Sequence, residues 1–120
     1  MISQISGLPA NVLGFEASGR VTGADYKHVI APAVERVLET HDKVNLLYQV
    51  GPEFEGFDMG ALVEDAKVGL GHLTHWGNVA LVTDKRWMRE SLKVFGHVIP
   101  GKFEAFSNDE LEDARDFVCH

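Results

Sequence analysis

VNLLYQV, residues 44–50, and NVALVTD, residues 78–84, are short continuous apolar runs rich in valine and leucine. A strand covered on one face alternates polar and apolar side chains, so an unbroken run implies cover on both faces, the signature of parallel strands. Between them GALVEDAKVGLGHL, residues 60–73, repeats Leu62, Ala66, Leu70 and Leu73 three or four residues apart, as a helix requires. Together they read as one strand-helix-strand unit.

Upstream, LGFEASGRV at residues 13–21 changes the period to two, with Leu13, Phe15, Ala17 and Val21 on one face and Glu16, Ser18 and Arg20 on the other. An antiparallel or edge position fits it, and MISQISG at residues 1–7 pairs with it through a turn at residues 7–11, where Gly, Pro and Asn supply the backbone angles. TGADYKHVIAPAVERVLETH, residues 22–41, is helical in period, and Thr22 with Asp25 three positions on forms a box-like cap. Pro32 removes one helical hydrogen bond, so the sequence predicts a kink or a helix that begins near Ala31.

Downstream, KRWMRESLKVFGHVI at residues 85–99 sets Met88, Leu92, Phe95 and Ile99 on one stripe, with Asp84 placed to cap it. GKFEAF, residues 101–106, alternates as a last strand, and SNDELEDARDFV, residues 107–118, is a last helix with Ser107 and Glu110 as a capping box. The expected order is strand, strand, helix, strand, helix, strand, helix, strand, helix. That is an α/β fold with a mostly parallel, mixed sheet of about five strands and about four helices.

With 120 residues, 45% hydrophobic and 24% charged, the chain is expected to form one domain over residues 1–120 without staples. Eleven basic against eighteen acidic residues give a net charge of -7, which repels phosphate backbones and anionic lipid surfaces and argues against nucleic-acid or bulk membrane binding. The single cysteine, Cys119, cannot form an internal disulfide, which fits a reducing, cytoplasmic setting. MISQISGLPANV has no basic start before an apolar run, and no segment approaches the ~18 apolar residues of a membrane span. The expectation is a chain neither exported nor inserted.

FDMGALVEDAKVGLGHL, residues 57–73, and VALVTDKRWMRESLKVFG, residues 79–96, together with the element order, resemble the SpoIIAA-like family. Its members have the STAS-type fold and also look like part of the CRAL-TRIO lipid-transfer fold. The resemblance covers nearly the whole chain, and DKRWM after a buried strand is its most specific piece. In STAS antagonists of anti-sigma factors an Asp-Ser-Gly-like turn opens the helix after the third strand, and its serine is phosphorylated to switch partner binding. The resemblance puts Asp58, Met59 and Gly60 at that turn. Methionine carries no hydroxyl, so the phosphate switch is not carried over there.

The same turn supplies the first candidate surface, for a ligand or a partner: Phe54, Phe57, Asp58, Met59 and Gly60. Asp58 accepting N–H bonds at a helix start and Gly60 permitting close approach are ordinary capping features. Phe54, Phe57 and Met59 either fold back onto the sheet as core or line a pocket or contact surface at its carboxyl end. Met59, a flexible thioether between Phe57 and Leu62, is expected to pack inward.

Lys85, Arg86 and Trp87 form the second candidate, an anion site. Two cations in the first turn of a helix oppose its dipole, and a bound anion or a partner's carboxylate would offset that. The plainer reading leaves both cations in solvent, with Glu90 taking up part of the charge. Trp87 is expected to be half-buried, an apolar floor beside them.

His72 and His75 share a spacing of three without a third ligand, so no metal site is expected. Glu64 with Asp65, and residues 110–116, read as solvated charge runs. No nucleophile motif, phosphate-binding loop or dinucleotide fingerprint occurs, since GLGHLTHWG at residues 69–77 follows a helix instead of opening one, so neither catalysis nor a cofactor is expected. Two functional classes follow. One is a non-catalytic regulatory or interaction module of STAS type, contacting a protein partner or a second copy of itself as a homodimer. The other, implied by the CRAL-TRIO resemblance, is a binder or carrier of a small apolar or amphipathic, lipid-like anion.

Overall fold

Alternation at residues 12–21 produces the strand around which the sheet is laid. A computed structural model of the chain describes residues 1–71, 75–95 and 102–119. In it β1 (Ile2–Ile5) runs antiparallel to β2 (Val12–Val21), with Ile2 opposite Ala17 and Ile5 opposite Gly14. Gly7 takes the left-handed φ of 83° in the connecting turn, and Val12 N–H donates to the Pro9 carbonyl at 3.0 Å. β2 is not an edge strand, because it also pairs with β3.

Thr22 opens the first helical run as expected. Asp25 N–H donates to Thr22 Oγ1 at 3.3 Å, while Thr22 N–H donates to Asp25 Oδ2 at 2.8 Å, a complete capping box. The run consists of α1 (Gly23–Asp25), a π-helical turn (Tyr26–Ile30) and α2 (Ala31–Leu38). The π turn is how the chain accommodates Pro32: a widened turn before it relieves the clash that an α-helical carbonyl four residues back has with the proline ring. Ala31 N–H accordingly reaches the Tyr26 carbonyl, and a regular helix begins at Ala31.

β3 (Val44–Phe57) is twice the length of its apolar run. It runs on past Val50, where the apolar run ends, to Phe57, and so takes in Phe54 and Phe57 of the first candidate surface. Its pairing with β2 jumps from Ala17 opposite Val50 to Gly19 opposite Phe54, so Gly51, Pro52 and Glu53 form a bulge. A bulge is where a strand tolerates a proline that cannot donate to the ladder. The strand then re-aims Phe54 inward, where it is 7% exposed.

α3 (Met59–Gly71), β4 (Trp76–Val82), α4 (Arg86–Phe95), β5 (Lys102–Phe106), a 3-10 turn (Asn108–Glu110) and α5 (Leu111–Cys119) complete the chain. The sheet order is β1-β2-β3-β4-β5, and every pair after the first is parallel. Because β2 to β5 step across the sheet in one direction, right-handed crossovers put all their helices on one face. The larger core lies there, joining Phe15, Val34, Val44 and Tyr48 to Ala61 and Val68 of α3 and Met88 of α4. α5 covers the other face, where Ala114 and Val118 pack on Val12, Leu47, Ala80 and Val82. The expected helical positions Leu73 and Ile99, and the side chains of Leu62, Ala66, Leu70, Leu92 and Phe95, lie outside the described residues.

α5 is also held by polar groups that satisfy its last carbonyls, which an isolated helix leaves without partners. Asn45 Nδ2 donates to the Val118 carbonyl at 2.7 Å and Asn78 Nδ2 to that of Phe117 at 2.9 Å. At its other end Asp84 accepts from Asn108 N–H at 3.0 Å and Nδ2 at 3.1 Å, while Ser107 and Glu110 form the expected capping box. Asp84 therefore ties β4 to the turn after β5 instead of capping α4; the N–H of Lys85 is met by Thr83 Oγ1 at 3.1 Å.

Two outcomes follow from this docking. Asn45→Ala removes the donor to Val118 and the acceptor for Asn78 N–H, 2.9 Å away, and is expected to cost about 1–3 kcal/mol in urea unfolding. The Asn108 amide hydrogen bonds hold the Asp84 carboxyl below its ordinary value, and those of Ser107 do the same for Glu110. Depressed folded values mean a stabilisation that is present above the unfolded values and lost as pH falls through the folded ones. Melting temperature is therefore expected to drop below about pH 4, less steeply in Asp84→Asn.

Candidate functional site

Strands β2, β3 and β4 end at the same edge of the sheet, so the helical segments that follow them begin side by side there. The β3-to-α3 turn is fixed by Asp58. Its N–H donates to the Val21 carbonyl at 3.0 Å, tethering the turn to the end of β2, and its Oδ1 accepts from Ala61 N–H at 2.7 Å, capping α3. Gly60 meets Gly23 backbone to backbone: a Cβ on Gly23 would stand 3.1 Å from the carbonyl carbon and oxygen of Gly60. This contact brings α1 against the first turn of α3.

Phe54 and Phe57 lie below this turn with ring centroids 4.9 Å apart, Phe54 buried and Phe57 half-buried. Met59 does not join them. It is 76% exposed, against the expectation that it packs inward, and Val63 one turn later is 51% exposed. The reason is which face α3 turns to the sheet. Ala61 and Val68, seven residues apart, are the buried pair, and residues two positions either side of Ala61 project the opposite way. Val63 was missed from sequence, although its i,i+4 spacing from Met59 was visible.

A shallow concavity of about 570 Å³ separates this exposed face of α3 from α1, with Ala24, Lys27 and His28 on its far wall. Glu64 on the near wall is engaged by Lys67 at 3.3 Å.

The second candidate cluster adjoins the first through one contact. Lys85 Nζ stands 5.8 Å above the Phe54 ring, a cation-π arrangement. Arg86 is paired with Glu90 at 3.3 Å on an exposed helix face. Trp87 is 57% exposed instead of half-buried, because the inward position of this turn belongs to Met88, which is 7% exposed. His75 contacts the Asp42 carbonyl at 3.0 Å, and its expected neighbour His72 lies outside the described residues. Among the described residues no three His, Cys, Asp or Glu side chains gather as a metal site, and no helix is long and apolar enough to cross a membrane.

The glycine contact yields a comparative outcome. Gly23→Ala forces backbone apart and is expected to cost about 1–3 kcal/mol, whereas Gly60→Ala, whose Cβ would meet Asp58 Oδ1 at 3.4 Å and Gly23 at 3.6 Å, is expected to cost less in the same urea titration.

This arrangement of sheet, turn and helices is shared with known proteins. An uncharacterized protein with a SpoIIAA-like fold from Shewanella loihica PV-4, solved as a crystal structure, superposes with a TM-score of 0.74 at 26% sequence identity, covering 99% of this chain and 93% of that one. No curated protein matches the chain. The SpoIIAA-like family model matches residues 12–119, from β2 to the end of α5, and the chain therefore belongs to the SpoIIAA-like family and is a domain of STAS type.

Proposed function

We propose that this domain is a non-catalytic regulatory module that binds a protein partner through the start of α3. The observation that carries the reading is the double-sided helix: α3 buries Ala61 and Val68 against the sheet and still presents Met59 and Val63 to solvent. A helix apolar on both sides is normally covered on both. Met59 stands where the family resemblance puts a phosphate acceptor, so binding at this surface is constitutive or is controlled at another residue. The described concavities are shallow and open, which favours a docking surface over a carrier's enclosed pocket.

A photoreactive p-benzoylphenylalanine in place of Met59, in the full chain inside cells, tests this directly. Protein adducts are expected from position 59 and not from the same group at Glu104, on edge strand β5; equal labelling at both would defeat the reading. Met59→Asp is expected to leave the melting temperature within about two degrees of the parent, as exposed positions do, while abolishing adducts formed from position 63.

The second reading, a binder of a small amphipathic anion, is favoured by the Lys85 ammonium over the Phe54 ring beside Phe57. Native mass spectrometry of the purified chain distinguishes it. A retained lipid-like anion, lost when Lys85 and Arg86 are both replaced by glutamine, would support it.

A further inference from the structure

We infer that the partner segment received by the α1/α3 concavity is acidic as well as apolar, a stretch of partner chain with carboxylates beside its apolar anchors. This rests on the docking role just proposed for Met59 and Val63.

The chain as a whole carries a net charge of -7, yet the charges around this concavity are balanced differently. Among the described residues the neighbouring carboxylates already have partners within the chain. Asp58 caps Ala61 N–H, Asp25 completes the Thr22 box, Glu64 is paired with Lys67 and Glu90 with Arg86. Two cations are not engaged in this way. Lys27 lines the concavity, and Lys85 follows β4 at the same edge; among the described residues neither is within ion-pair distance of a carboxylate. Glu53 and Glu55, the other acids near the end of β3, are exposed and line a different concavity, together with Met1, Ser18 and Gly19.

An incoming segment therefore meets apolar surface at Met59 and Val63 with Lys27 on the far wall, and among the described residues the acid that lines the concavity, Glu64, is already paired with Lys67. Like charges placed opposite one another at an interface disfavour binding strongly, and opposite charges steer encounter and fix register. The same argument disfavours a second copy of this chain, which carries the same net charge.

The probe is a fluorescein-labelled synthetic helical peptide with a leucine stripe flanked by glutamates, compared with the same peptide carrying lysines, in fluorescence anisotropy with the full chain. The glutamate peptide is expected to bind at least about tenfold more tightly at low salt, with the advantage shrinking as salt rises. The double variant Lys27→Glu, Lys85→Glu is expected to reverse the preference, with unchanged far-ultraviolet circular dichroism. Equal or tighter binding of the lysine peptide overturns the inference. So does co-sedimentation with phosphatidylcholine vesicles containing phosphatidylserine that matches the peptide's affinity, or a dimer in sedimentation equilibrium that Met59→Asp dissolves. If neither peptide binds while position 59 still labels a protein, the acidic character is wrong and the docking role stands. If position 59 labels nothing, the docking role itself has failed.

Discussion

Four parallel strands laid down in sequence order, each one step further across the sheet, leave their crossover helices no choice of face. Right-handed connection from β2 through β5 puts the α1/α2 run, α3 and α4 on the same side and starts each of them from the same edge. The wide core on that side and the clustering of Asp58, Gly23 and Gly60 at one corner follow from this constraint. So does the contact of Lys85 with Phe54, 31 residues apart in the chain, which brings the segment after β4 against the strand end that leads into α3.

The face left bare by that topology is closed by α5. Its apolar side, Ala114 and Val118, supplies the burial, but the strands opposite offer asparagines as well as aliphatics. Asn45 and Asn78 reach the last carbonyls of α5, and Asn108 with Asp84 holds the turn at its start. Burying a helix end without such partners leaves unpaired acceptors, so these polar contacts decide where along the sheet α5 comes to rest. Apolar contact alone is tolerant of sliding. Hydrogen bonds at both ends are not.

At the opposite layer the same economy of partners shapes the surface. Carboxylates near the α3 corner are drawn into caps and short-range pairs, which leaves apolar side chains and lysines facing outward. An exposed methionine on a helix whose other side is core is also an adaptable contact, since its unbranched thioether fits irregular surfaces at small cost in strain.

Element order was legible in the sequence because side-chain period is a local property: two for Leu13 to Val21, three to four for the helices, and unbroken apolar runs for β3 and β4. Caps were legible for the same reason, Thr22 with Asp25 and Ser107 with Glu110 being three residues apart. The corner formed by Asp58 and Gly60 was likewise visible as a helix start. What required the tertiary structure was every choice between two locally equal options. α3 carries apolar residues on both sides, so periodicity could not say that Ala61 and Val68 face the sheet and Met59 and Val63 face water. The apolar run ends at Val50, and it is the register with β2 that shows the strand continuing through a bulge at Pro52 to Phe57. Asp84 reads as a cap for α4 until Asn108, 24 residues on, is brought beside it and donates two hydrogen bonds. Sequence determined which segments form and in what order; the fold decided which side of each segment meets another, because that depends on partners distant along the chain.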